Sequence, residues 1–179
     1  MLFQKSLIQC AIVGGMAIST SAFAVDGTID FQGQITDTTC AVAVNSGTNN
    51  GTVTLPTIAA SALPAVASTA GATPFTISLT GCTGTALNTA STLFENGANV
   101  DAAAGRLNST GTASGVQIEL LNAAQAPLHV GAAGLQGDTP ADISSGSATM
   151  NYFARYYASG ASVTPGSVVS RVDYTIQYQ

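Results

Sequence analysis

From Val25 to Ile35 the chain alternates without a break. Apolar residues or glycine hold the odd positions: Val25, Gly27, Ile29, Phe31, Gly33 and Ile35. Polar residues hold the even ones: Asp26, Thr28, Asp30, Gln32 and Gln34. Successive side chains of a strand point to opposite faces, so the pattern predicts a two-faced strand with two glycines on its apolar face. Period two persists downstream. It predicts strands over Thr39–Val44, Thr52–Leu55, Pro74–Cys82, Gly115–Asn122, Ala148–Ala158 and Val168–Gln179, with shorter ones within Ser91–Gly97 and Ala124–Gly131. Turn-forming clusters separate them at Ser46–Gly51 and Ser159–Gly166. Thr57–Ala72, rich in Ala and Ser, reads as a crossover with room for a helical turn. Gly84–Thr92, Ala98–Thr112 and Gly134–Ser147 read as loop or edge.

Short strands with Gly, Pro and Asn turns, and no sustained 3.6 period, predict an all-β sandwich. The last strand puts Val172, Tyr174, Ile176 and Tyr178 on one face and runs to Gln179. An apolar strand left at a sheet edge invites aggregation unless something pairs it. On pattern alone, the simpler expectation is that both end strands pair within their own sheet.

The first 24 residues change the picture. Lys5, the apolar run Leu7–Ile18 and the small residues Ala22–Ala24 predict a secretory signal peptide cleaved between Ala24 and Val25. No other segment approaches membrane length. Residues 25–179 then carry three arginines against nine carboxylates, a formal charge of −6. That argues against nucleic acid and anionic membrane as partners, since both need a cationic face. Only 7% of the chain is charged, which suits a surface destined to be covered. Cys10 leaves with the signal. Cys40 and Cys82 remain as an even pair in an exported chain, and the direct reading is a disulfide. A metal site is a poor alternative, because the one His, His129, lies far along the chain and no CxxC spacing occurs.

Catalytic chemistry finds no convergent set. His129 is flanked by Leu128 and Val130, and the carboxylates are scattered. No GxSxG occurs, and Gly131–Gly134 has no lysine to make a phosphate cradle. No cofactor is implied.

Four fragments carry a resemblance: "GTIDFQGQITDTTCAV" near the start, "FTISLTGC" around Cys82, "GVQIELLNAAQAPL" in the middle, and "FARYYASGASVTPGSVVSRVDYTIQYQ" at the end, with a penultimate Tyr and Gly166. In this order the chain resembles a chaperone–usher pilin, close to the major rod subunit of type 1 fimbriae. The resemblance covers nearly all of Val25–Gln179. It implies an incomplete immunoglobulin-like sandwich whose groove is filled by a strand from a neighbouring subunit. Strand addition of this kind is a known recognition mode, for which chaperone–pilin pairs are a standing example. The implied organisation is a signal peptide over 1–24, a donor-strand extension over 25–36 and a sandwich over 37–179. Val25, Ile29, Phe31 and Ile35 would fill pockets in a neighbour. Gly27 would match the glycine where the family's groove pinches. Val172, Tyr174, Ile176 and Tyr178 would flank the groove and pair with a periplasmic chaperone, which would also anchor Gln179. An outer-membrane usher would deliver the subunit to a surface fimbria made of identical or related pilins. The alternative is a self-contained secreted sandwich that binds carbohydrate or protein.

Overall fold

The computed structural model describes residues 29–84, 87–134 and 136–179. The expected signal peptide, the Ala24–Val25 cleavage point, and Val25 and Gly27 lie outside the described residues. The chain divides into two units, Met1–Gln34 and Ile35–Gln179. In the first, residues 29–34 pair with no strand among the described residues, and Ile29 and Phe31 are exposed.

The second unit is built from nine strands among the described residues. They are β1 (Thr39–Val44), β2 (Thr69–Thr83), β3 (Thr89–Phe94), β4 (Val100–Asp101), β5 (Arg106–Asn108), β6 (Val116–Leu121), β7 (Ala141–Asp142), β8 (Ala148–Ala158) and β9 (Tyr174–Tyr178). One sheet has the order β1-β2-β8-β6-β5-β4, the other β7-β3-β9. One 3-10 turn, Ala60–Ala62, interrupts the crossover into β2. The all-β sandwich expected from the alternation is the architecture found.

Alternation decides the core. β2 turns Phe75, Ile77 and Leu79 inward, and its register sets Phe75 against Tyr152 and Ile77 against Met150 on β8. Phe94 of the second sheet meets the Tyr152 ring edge-on at 5.4 Å, while Phe75 lies tilted at the same distance. Tyr152 therefore joins the two sheets, and each such aromatic pair adds about 0.5–1.5 kcal/mol beyond its burial. The tyrosine hydroxyl leaves the core to donate to Asp138. Cys40 and Cys82 form the disulfide, 42 residues apart. A closed loop of that size stabilises by about 4 kcal/mol in the chain-entropy account.

Several elements differ from the pattern. Residues 98–112 hold β4 and β5, and residues 134–147 hold β7; strands of two or three residues leave no readable period. β2 starts five residues earlier than expected, and residues 124–131 supply only a single bridge, Leu121 to Pro127. The last strand is shorter than its alternation. Ahead of Tyr174 the chain leaves β3 and is stitched to residues 108–114 instead, through Val169 O and Ser167 O, which accept from the N–H groups of Thr110 and Ala113. Gly166 makes this crossing possible, because a Cβ there would collide with Thr112 and Ala113.

Candidate functional site

β9 has one paired side. Thr89 and Gln179 exchange both backbone bonds, at 3.0 and 2.8 Å. Bonded and non-bonded pairs alternate along an antiparallel ladder. Counting back from Gln179, residues 177, 175 and 173 face β3, and Glu95 N–H accordingly donates to Asp173 O at 2.8 Å. The N–H and C=O groups of Tyr174, Ile176 and Tyr178 therefore point the other way. No strand pairs with that side among the described residues.

The opposite flank is β1 and the segment after it. Thr52–Leu55, expected as a strand, joins no ladder, and residues 51–55 make no backbone–backbone hydrogen bond among the described residues. Their period two reports burial rather than pairing: Val53 and Leu55 pack against the core. Gly51 lies so close to Val44 that a Cβ would collide with the Val44 side chain. Tyrosine hydroxyls hold the flank. Tyr174 donates to Asn49 O at 2.7 Å, and Tyr156 donates to Pro56 O at 3.2 Å. Cys40 N–H donates to the Tyr178 hydroxyl at 3.1 Å. Burial pushes the Tyr156 and Tyr174 phenols above their usual range, so both remain protonated donors.

Between the flanks lies a groove of about 890 Å³. Its floor is the core itself, with Phe75, Ile77, Phe94, Ile118 and Leu120 among the lining residues. A cleft over the core, walled by half-buried apolar side chains such as Val53, Leu55, Val172 and Ile176, beside an unpaired sheet edge is the arrangement that a further strand satisfies, with backbone groups pairing and alternate side chains descending.

The structure places the other expected residues as follows. Val172, Tyr174, Ile176 and Tyr178 all line the groove. Gln179 O accepts from the N–H groups of Asn88 and Thr89 and from the Thr89 hydroxyl. Ile29, Phe31 and Ile35 are 78%, 91% and 101% exposed. His129 is exposed, its Nε2 3.0 Å from Ala102 O. The flank at residues 49–55 went unrecognised as part of the site. Its signal was Val53 and Leu55 alternating between a turn cluster and Pro56.

A polar network outside the groove also went unread. Glu119, 3% exposed on β6, binds Arg155 through Nη2 at 2.6 Å and Nε at 2.8 Å, with Arg106 Nη1 at 3.6 Å. Arg106 lies over the Tyr157 ring at 3.9 Å and donates to Gln117 at 3.0 Å. Among the described residues no group of three His, Cys, Asp or Glu could hold a metal ion, and no helix is long and apolar enough to cross a membrane.

Fold and site together define, among the described residues, a disulfide-closed β-sandwich with a groove along the unpaired edge of β9. Known proteins resemble the chain in sequence and in fold. Residues 55–179 match the model of the family described as type-1 fimbrial protein, A. The chain is 43% identical to the F17 fimbrial protein of Escherichia coli, covering 91% of this chain and 93% of that one. It is 40% identical to the major fimbrial subunit SMF-1 of Stenotrophomonas maltophilia, covering 90% and 98%. Among solved structures, the P pilus rod subunit PapA superposes with a TM-score of 0.60 at 19% identity, covering 78% of this chain and 99% of that one; at that identity the likeness is one of fold. The chain belongs to the type-1 fimbrial protein A family and is a structural subunit of a fimbria.

Proposed function

We propose that this subunit polymerises by donor-strand exchange, its groove accepting the extension of a neighbour while its own residues 25–36 fill the groove of the next. One observation carries the reading. Among the described residues, β9 has an edge without a partner strand and the alternating segment 29–35 joins no sheet. Burying Ile29, Phe31 and Ile35 at about 1.5–3 kcal/mol each yields roughly 5–9 kcal/mol before ordering costs. Each backbone bond to the free edge adds about 1 kcal/mol. A head-to-tail contact of this kind does not close on itself and generates a filament.

The crossing of the groove by Tyr174 supports one register. A Cβ on Gly33 would meet nothing within 4 Å, and its φ lies outside the left-handed region, so its own fold does not call for glycine. A donor running antiparallel to β9 with Gly33 beside Tyr174 sets Phe31 beside Ile176, Ile29 beside Tyr178 and Ile35 beside Val172. In this register Gly33 passes the narrow point and Gly27 lies past Tyr178; a shifted register would put Gly27 there, as the family resemblance implies. Before assembly the same edge is covered by a strand lent by a periplasmic chaperone, and an outer-membrane usher exchanges it on the way to the cell surface.

The test is deletion of residues 25–36. The truncated subunit is expected to bind chaperone yet never to be added to a neighbour's groove as donor. Fimbriae assembled from truncated subunits alone would overturn the reading.

A further inference from the structure

We propose that Tyr156 and Tyr174 are positioning residues that keep an unpaired flank, residues 49–56, at the spacing an incoming strand requires. The inference rests on the donor-strand reading of the groove. A strand is ordinarily held by its ladder. Here the ladder of residues 51–55 is missing among the described residues, and on that reading it is completed only by the donor. Until then the flank would have to be re-ordered at each encounter, which taxes capture by the fraction of time the flank is in place.

The two phenols sit at the two ends of that segment. Tyr174 reaches it at Asn49 O and Tyr156 at Pro56 O. Pro56 has no N–H, so its carbonyl is its one backbone group needing a partner. Each clamp starts from a strand that is itself fixed. Tyr156 lies on β8, paired with Ala70 on one side and Ile118 on the other. Tyr174 lies on β9, paired with Phe94. Gly71 lets the Tyr156 clamp close, since a Cβ there would press on the Tyr156 ring at 3.1 Å and on Pro56 at 3.3 Å.

Tyr156 separates this role from direct contact, because it does not line the groove whereas Tyr174 does. The experiment uses the full exported chain with Ile29→Ser, Phe31→Ser and Ile35→Ser, three exposed positions, so that it can receive but not donate. A fluorescent peptide of residues 25–36 is the probe. Tyr156→Phe is expected to slow peptide association about fivefold, the factor carried by one hydrogen bond, and to lower the NMR backbone order parameters of residues 51–55 in the empty groove. Dissociation from the filled groove should change less, because the donor's own ladder then holds the flank. Tyr157→Phe, one residue on, should do neither. Unchanged order parameters and association in Tyr156→Phe, or equal changes in Tyr157→Phe, would overturn the proposal. A recipient with both tyrosines intact that captures no peptide overturns the donor-strand reading instead, and the order parameters at 51–55 still decide the clamp.

Discussion

The backbone N–H of Cys40 donates to the hydroxyl of Tyr178, so the last strand is tied to the first at the residue where the disulfide enters. The cause is a bulge. The β1–β2 register shifts between Thr39 and Ala41, which leaves Cys40 out of the ladder and its N–H in need of a partner. Tyr178→Phe keeps the ring and removes that acceptor. The expected loss is about 1 kcal/mol, with the thermal midpoint about 2–4 °C lower in a domain of this size. Calorimetry on the variant checks it; an unchanged midpoint would show that the bond contributes nothing.

Gly33→Leu is expected to block assembly without disturbing the subunit. Its side chain enters open space in its own chain. In the proposed register it presses on Tyr174 of the neighbour, an overpacking cost of about 1–3 kcal/mol, or about fivefold to 150-fold in assembly. Circular dichroism of the subunit and counts of surface fimbriae separate the two effects. Gly27→Leu, outside the narrow point, should assemble closer to normally; the opposite ranking would place the crossing at Gly27.

Glu119→Gln keeps the shape of the polar network and removes its central charge. Arg155 and Arg106 then lose their carboxylate with side chains 24% and 22% exposed. Between the small value of an exposed pair and the 3–5 kcal/mol of a fully buried one, the expected cost is about 2 kcal/mol. Urea midpoints measure it. Replacing Glu119 and Arg155 together by Leu should cost less than the single change, because no unpaired charge remains.

Stability should fall in alkali. Burial first, and then the hydrogen bond to Asp138, raise the Tyr152 phenol well above its ordinary value of 10.0; burial raises Tyr156 and Tyr174 in the same direction. A raised folded value gives stability that is complete below the unfolded pKa and lost as pH climbs through the folded one. The decline should therefore begin above about pH 10, and Tyr152→Phe should make it shallower. In acid the sign reverses. The Gln117 side chain holds Asp101 below 3.8, and the Ser144 hydrogen bond does the same for Asp142. Their contribution is complete above 3.8 and fades as pH falls through the lowered values. Unfolding midpoints across pH 2 to 12 would test both limbs; a flat alkaline limb in the unaltered chain would contradict the first.

Strands with a partner in the chain and a full run of alternation were legible. β1 and β8 match the expected spans residue for residue, and β6 differs by one residue at each end. β4, β5 and β7 were not, because two or three residues carry no period. Residues 52–55 mark the deeper limit. Alternation records which side chains are buried, not whether the backbone has a neighbour, so a flank awaiting another molecule reads like any strand. One wall of the groove was visible in Val172, Tyr174, Ile176 and Tyr178. The other wall and the hydroxyls that fasten it depend on contacts across 100 and 125 residues, Tyr156 with Pro56 and Tyr174 with Asn49, which no local pattern encodes.

The network around Glu119 has a further consequence, one of digestion. It engages Arg106 and Arg155, and the chain's one lysine is Lys5. Arg171, 80% exposed at the rim of the groove, is then the one lysine or arginine side chain among the described residues that is largely open to solvent. A protease that cuts after basic residues meets it beside the unpaired edge. A strand lying in the groove would stiffen and shield that bond. The fragment released at Arg171 would then report, subunit by subunit, how much of a preparation is still waiting for a neighbour.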